Sequence, residues 1–300
     1  MTSPLVYTPD LTNTLKGKTL FITGGSRGIG LAIAKRAAQD GANIVIAAKT
    51  SEPHARLPGT IYTAADEISA AGGQVLPLQM DLRHETEVEN AVMKAIETFG
   101  GIDILVNNAS AIAIGGVNEV SMKKFDLMTQ INLRGTILAT KCCLPYLKKS
   151  TNAHILTLCP PPSLDPKWFK DTLPYTLAKM GMSFSTIGLS EEFKPDGIAA
   201  NALWPRTAID TAAIRNELGG AAIAQYCRAD NIMADAAHAI LCKNSTEYTG
   251  HFCIDDEVLF EEGLTNLDHY AIKPGEKLIL DFFLNSGPNG SMDGYIRMPL

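Results

Sequence analysis

The sequence predicts an α/β protein, a doubly wound, seven-stranded parallel sheet with helices on both faces. Three observations carry this expectation. Short apolar runs without polar alternation recur along the chain, the pattern of strands buried on both faces. Helix-length segments separate them, so consecutive strands join by right-handed crossovers. The first run, Thr19-Leu20-Phe21-Ile22, passes through a glycine turn, Thr23-Gly24-Gly25-Ser26-Arg27-Gly28-Ile29-Gly30, straight into the helical stretch Leu31 to Ala38.

The elements follow in order. After the first strand come apolar runs at Asn43 to Ala48, at Gln74 to Met80, and at Ile104 to Val106 before Asn107-Asn108-Ala109. His154 to Leu158, Ala199 to Trp204 and Gly250 to Ile254 complete the seven. Two Pro-rich insertions interrupt the pattern, at Thr50 to Thr60 and at Pro160 to Pro174, both after strand ends where ligands bind in such sheets. Ala271 to Leu284 is expected to cover the core. One domain is therefore expected over 1–284, and 285–300, rich in Gly and Ser, is expected to be a flexible tail.

Composition narrows the classes. The chain has 300 residues, is 46% hydrophobic and carries a formal charge of −6, which argues against a general nucleic-acid binder. Six cysteines show no C-x-x-C spacing, so reduced, packed thiols in a reducing compartment are expected, with no metal site. No apolar run approaches the ~20 residues of a membrane span, and the first residues lack a secretory core. A soluble intracellular protein is expected.

The glycine turn between strand and helix is a phosphate cradle. Glycines let the backbone approach a pyrophosphate, and the helix N-terminus presents unpaired N–H groups to its charge. Lys49 follows the second strand, where a dinucleotide's adenosine ribose lies and where an NAD site places an acid. With Arg27 in the turn, two cations suit a 2′-phosphate, so NADP(H) is the expected cofactor. Asp81 is positioned for the adenine amino group, and Asn108 and Ala109 for the adenosine ribose. Tyr175 and Lys179 stand four apart on a helix, hence on one face. An ammonium there stabilises a phenolate, which makes Tyr175 a general acid or base for a hydroxyl or carbonyl.

In order and spacing, the turn from Thr23 to Gly30, Asp81, Asn107-Asn108-Ala109, Asn132, Tyr175 and Lys179 resemble the short-chain dehydrogenase/reductase family over Lys16 to Cys253. The resemblance implies a Rossmann-type fold and hydride transfer at a hydroxyl/carbonyl carbon. It makes Tyr175 the proton donor or acceptor and Lys179 its partner and the holder of the nicotinamide ribose. Asn132 is implied to hold a water in a proton relay, and Thr207 to touch the nicotinamide amide. The helices containing Leu138 to Leu147 and Tyr175 to Leu189 are implied to pair copies into a dimer or tetramer.

A narrower resemblance, carried by Pro53-His54, Leu57-Pro58-Gly59-Thr60-Ile61-Tyr62, Asn201-Ala202-Leu203-Trp204-Pro205 and Asp281-Phe282-Phe283-Leu284, is to a subgroup in which a sterol-carrier domain often follows. The chain stops before such a domain, as a short relative or an excised piece would. This resemblance implies a lipid-like small-molecule substrate and a peroxisomal or mitochondrial location. Ile112, Ile114, Leu164, Trp168 and Phe169 suit an apolar substrate or loop packing equally.

Three positions depart from the family pattern. Pro160 stands where the catalytic serine is usual, and proline has no side-chain donor. Ser163 is the candidate replacement. Pro205-Arg206 replaces Pro-Gly, and Asp255-Asp256-Glu257 replaces Asp-Gly-Gly. The missing serine supports an alternative function, an NADP(H)-binding regulatory protein with weak or no turnover.

Overall fold

The seven apolar runs form one parallel sheet in a computed structural model that describes Tyr7 and residues 14–54, 57–218 and 220–298. The strands are β1 (Thr19–Thr23), β2 (Asn43–Ala48), β3 (Gln74–Gln79), β4 (Ile104–Asn107), β5 (Ala153–Thr157), β6 (Ile198–Trp204) and β7 (Phe252–Ile254). Their spatial order is β3-β2-β1-β4-β5-β6-β7. The winding reverses between β1 and β4, which opens a crevice at the C-terminal strand ends. Thr23 pairs in register with both Ala47 and Asn107, so three strand ends meet at the start of the glycine turn.

Side chains alternate between two cores. Leu20, Ile22, Ile44 and Ile46 pack against α1 (Gly28–Gln39) and α7 (Asn231–Leu241). Phe21, Val45 and Leu105 face the other way, onto α3 (Glu85–Phe99) and α5 (Gly135–Leu147). Burial on both faces is why these strands read as continuous apolar runs. The remaining helices are α2 (Ile61–Ala70), capped by a Thr60–Thr63 capping box, α4 (Met122–Met128), α6 (Leu173–Glu192) and α8 (Asp255–Glu261). A π-helical stretch, Thr129–Arg134, joins α4 to α5 and carries Asn132.

The C-terminal segment carries a second, two-stranded sheet. β8 (Leu278–Leu280) pairs in parallel with β9 (Tyr295–Arg297), and of the two only β9 lies within 285–300, the segment expected to be a flexible tail. A bridge between Thr207 and Leu280 ties this small sheet to the loop after β6. Its apolar residues, Ile279 and Ile296, pack with Ala208, Ile214 and Cys227, and that burial holds the segment in place. All six cysteines are unpaired, and four of them are buried.

Candidate active site

The glycine turn is fixed from below. Thr23 is buried, donates its hydroxyl to Val106 O and accepts the N–H groups of Asn108 and Ala109. Gly24 has φ +70°, and a Cβ there would meet Ala109 Cα at 2.8 Å. A Cβ on Gly30 would meet Asn108 Nδ2 at 2.4 Å, where that amide donates to the carbonyls of Thr23 and Gly24. The turn and Asn108 therefore lock each other. Arg27 is the N-cap of α1 without a side-chain cap, so the first N–H groups of this helix have no side-chain acceptor there.

Above the turn lies a cavity of about 500 Å³ lined by Gly24, Ser26, Arg27, Gly28 and Ile29, together with Lys49, Asp81, Asn108 and Ala109. Gly25 and Gly30 shape the turn without lining the cavity. Arg27 reaches the inserted loop, donating to Pro58 O at 3.0 Å and Gly59 O at 2.8 Å. Asp81 is gripped by Arg83, through Nε at 2.9 Å and through Nη2, with Lys49 Nζ at 3.4 Å. The hydrogen bonds from Arg83 hold its carboxyl well below the usual carboxylate range. Arg83 also lines the cavity and was not singled out from the sequence. Arg27, Lys49, Arg83 and Asp81 all line this cavity, and the glycine cradle and the uncapped helix end fit the phosphates of a dinucleotide.

A second cavity, of about 170 Å³, adjoins the first and shares Ile29, Asn108, Ser110, Ile112, Thr211 and Ala213 with it. Tyr175 and Lys179, one turn apart on α6, line it with Leu158, Trp204, Asp281 and Phe282. Lys179 Nζ donates to Leu158 O at 3.0 Å and sits 5.1 Å from the Trp204 ring centroid. Burial pulls its ammonium down to about 8. The expected lowering of Tyr175 by Lys179 does not occur in this state. Burial, then the charge of Asp281, push the phenol far above its usual range, while Lys179 is turned to a carbonyl.

Other expectations are redistributed. Asn132 is fully buried, its side chain holding Ala111 through N–H···Oδ1 at 2.8 Å and Nδ2–H···O at 3.0 Å. Both ends of that amide are occupied, so it positions the loop after β4. Thr207 lines neither cavity and is buried in its bridge to Leu280 with an unpartnered hydroxyl. Thr211, four residues on, lines both cavities. Ser163 lines neither, and its Oγ accepts the Asp165 N–H at 3.2 Å in a local turn. Of the five apolar loop residues, Ile112 lines the cavities. Ile114, Trp168 and Phe169 join a packing cluster, and Leu164 is exposed.

Asp281 is the functional candidate that sequence reading missed. It closes the small cavity from the C-terminal segment, with the Phe282 and Phe283 rings 6.0 and 6.2 Å from that of Tyr175. Trp204 Nε1 donates to Phe282 O at 2.9 Å, and Asp281 N–H to Arg206 O at 3.0 Å. Asp281 is half-buried and lines the cavity, and desolvation of its carboxyl pushes it up to about 7. The one signal in the sequence was the acid itself, set before three apolar residues in Asp281-Phe282-Phe283-Leu284.

Known proteins resemble this chain in sequence and fold. Residues 18–218 match the short chain dehydrogenase family model. Hydroxysteroid dehydrogenase-like protein 2 of Xenopus laevis is 60% identical over 92% of this chain, and that of Homo sapiens 57% over the same share. The chain spans 66% of the length of each. A short chain dehydrogenase from Mycobacterium thermoresistibile is 51% identical, with a TM-score of 0.88 over 92% of this chain and 99% of its own. A metagenomic short-chain oxidoreductase in complex with NADP shares the fold at 22% identity, with a TM-score of 0.66 over 80% of this chain and 97% of its own. Fold, cradle, tyrosine–lysine pair and these likenesses agree: the chain belongs to the short-chain dehydrogenase family.

Proposed function

We propose that the chain is an NADP(H)-dependent oxidoreductase acting on a hydroxyl/carbonyl carbon of an apolar, lipid-like small molecule, with Tyr175 giving or taking the proton. The observation that carries this reading is the junction of two cavities. One is built around a phosphate cradle, the other around Tyr175 and Lys179, and Ile29 and Thr211 belong to both. The cradle and the N-terminus of α1 would hold the pyrophosphate. Lys49 and Arg83 would favour a 2′-phosphate, with Arg27 bracing the loop above. Lys179 would hold the nicotinamide ribose. When bound, the reduced nicotinamide supplies a hydride. Tyr175, kept protonated by burial, is set to donate its proton to the oxygen of a carbonyl. Ile112, Trp204 and Phe282 make the substrate end apolar. The choice of NADP(H) rests on these charges, since the NADP-bound neighbour is too distant to decide it.

Initial rates with NADPH and NADH against a panel of aldehydes, ketones and quinones test the reading. Preference for NADPH and loss of turnover in Tyr175→Phe are expected. Full turnover in that variant would remove the proton role, and equal use of both cofactors would remove the 2′-phosphate argument.

A second reading is a nucleotide-binding regulator with weak turnover. Pro160 and the inward turn of Ser163 favour it, because neither offers a donor to the small cavity. NADPH binding without reduction of any panel member would select it. For either reading a homo-oligomer is proposed. Ile137 on α5 and Leu177, Phe184 and Ile187 on α6 are exposed apolar side chains that pairing of these helices would cover. Light scattering in solution reads the stoichiometry. Among the described residues no helix is long and apolar enough to cross a membrane.

A further inference from the structure

We propose that Asp281, brought over the site by the C-terminal segment, donates the substrate-oxygen hydrogen bond that Pro160 cannot. The inference rests on the oxidoreductase reading above. Three observations support it. First, Asp281 lines the same small cavity as Tyr175 and Lys179, whereas Ser163 does not. A carbonyl oxygen placed against the Tyr175 hydroxyl therefore has Asp281 as the other acid in its surroundings. Second, Asp281 Oδ1 accepts the Phe282 N–H at 2.7 Å, so Oδ2 is the oxygen that would carry the proton. Third, the carboxyl is held rigidly. Its own N–H is bound to Arg206 O at 3.0 Å, and the preceding Leu280 is bridged to Thr207.

The surroundings raise this acid so that its neutral form dominates below about pH 7. The cavity wall beside it is apolar, with Trp204 and Phe282. The charged and titratable groups acting on it are Lys179 and Tyr175 from α6, Asp255 from the start of α8 and Cys227 from the segment before α7. Burial raises the carboxyl most, the Phe282 N–H lowers it, Asp255 raises it and Lys179 lowers it, for a result of about 7. A neutral carboxyl in an apolar site is a strong hydrogen-bond donor that stays intact through the reaction.

The step balances without Asp281 losing its proton. The oxygen would take the Tyr175 proton as the carbonyl carbon takes the hydride that a reduced nicotinamide would supply when bound. Tyr175 is left as a phenolate and is reprotonated from water. The Asp281 O–H bond is never broken, and its hydrogen bond strengthens as charge develops on the oxygen.

The test is NADPH-dependent reduction of 9,10-phenanthrenequinone by wild type, Asp281→Asn, Asp281→Ala and Tyr175→Phe, with kcat/KM measured from about pH 5 to about pH 9 and urea unfolding over the same range. Asp281→Ala is expected to lose about 10²–10³ in kcat/KM, the cost of one such donor. Wild-type kcat/KM should fall as pH rises through about 7, and Asp281→Asn, which keeps a donor that cannot ionise, should remove that fall. Wild-type stability should decline relative to Asp281→Asn as pH rises from about 4 to about 7, because the unfolded chain releases this proton first. A merely structural Asp281 would leave the rate profile unmoved. Near-wild-type kcat/KM in Asp281→Ala, or an unchanged fall in Asp281→Asn, would overturn the proposal. Full activity in Tyr175→Phe overturns the tyrosine reading separately, and no NADPH oxidation by wild type overturns both.

Discussion

Arg206 Nε donates to both carboxylate oxygens of Asp256, at 3.1 Å each, with Asp256 fully buried and Arg206 6% exposed. The two residues lie fifty apart in sequence, and each breaks a glycine that the family pattern calls for. They are one feature. The Arg206 N–H also donates to Asp255 Oδ1 at 2.8 Å, Nη2 pairs with Glu257, and Nη1 reaches Ser286 O at 3.3 Å. Arg228 adds a second cation 3.8 Å from Asp256. The cluster clamps the chain on both sides of Asp281, through Arg206 O and Ser286 O, and so holds the wall of the small cavity.

Breaking this pair from one side leaves a buried charge. Asp256→Ala is expected to cost about 3–5 kcal/mol in urea unfolding, since Arg206 and Arg228 keep their desolvation and Arg206 is left with the more exposed Glu257 as its acid. Arg206→Gly should cost a similar amount by taking the guanidinium from Asp256, while the retained N–H still serves Asp255. The double variant, Arg206→Gly with Asp256→Gly, should lose clearly less than the sum of the two single losses. Additive losses would show that the two side chains are not coupled.

Gly30 is expected to be intolerant for a reason unrelated to backbone freedom. A methyl group there meets Asn108 Nδ2 at 2.4 Å, inside the hydrogen bonds that join Asn108 to Thr23 and Gly24. Gly30→Ala should destabilise by about 1–3 kcal/mol, as overpacking does, and should weaken NADPH binding because the cradle shifts. Thermal unfolding and a fluorescence titration check the two effects. Loss of stability with unchanged NADPH affinity would separate the turn from the ligand.

The parts of this fold that were legible are those decided locally. Leu20 to Ile22 and Ile44 to Ile46 are apolar because both faces of the sheet are covered, and no distant partner is needed to see it. The cradle was legible for the same reason, because strand, turn and helix are contiguous. Arg27 was recognised as a cation near a phosphate, but its bonds to Pro58 and Gly59 depend on the path of the inserted loop. Asp281 is not legible as a site residue because its neighbours Tyr175 and Lys179 come from a distant helix, and the segment Ala271 to Leu284 reads only as a cover for the core. Arg206 and Asp255-Asp256-Glu257 looked like two defects, since only the folded chain sets them face to face.

Cofactor choice should turn on Arg83 more than on Lys49. The Lys49 side chain is 71% exposed, so water screens its attraction for a phosphate. Arg83 does two things, presenting a guanidinium to the cavity and neutralising Asp81. In Arg83→Ala the freed Asp81 carboxylate would repel a 2′-phosphate and could accept a ribose 2′-OH. NADPH should bind about 10- to 100-fold more weakly and NADH about equally well, with Lys49→Ala showing a smaller loss in the same direction. Equal weakening of NADPH and NADH in Arg83→Ala would place the 2′ position elsewhere.

Lys179 is expected to trade stability for function, and pH exposes the trade. Its ammonium is pulled from 10.5 to about 8 by burial. Below about pH 8 it is charged in both folded and unfolded chains, so the folded state bears the full desolvation, on the order of 3 kcal/mol. Between about pH 8 and 10.5 the unfolded chain holds the proton and the folded chain does not, so stability from this group rises with pH across that window. Lys179→Met removes the cost and also the bond to Leu158 O, worth about 1 kcal/mol. At pH 7 the variant should therefore outlast wild type in urea, with the gap closing toward about pH 10. Its NADPH-dependent turnover should fall by about 10² or more, since the nicotinamide ribose loses the ammonium proposed to hold it beside Tyr175. The charge of Lys179 also draws the Asp281 carboxyl down, so in Lys179→Met the Asp281-linked decline in stability should end at a higher pH than in wild type. A variant less stable than wild type at pH 7 would show that Lys179 is a structural cation held by its surroundings, and not a charge retained against them for the chemistry at Tyr175.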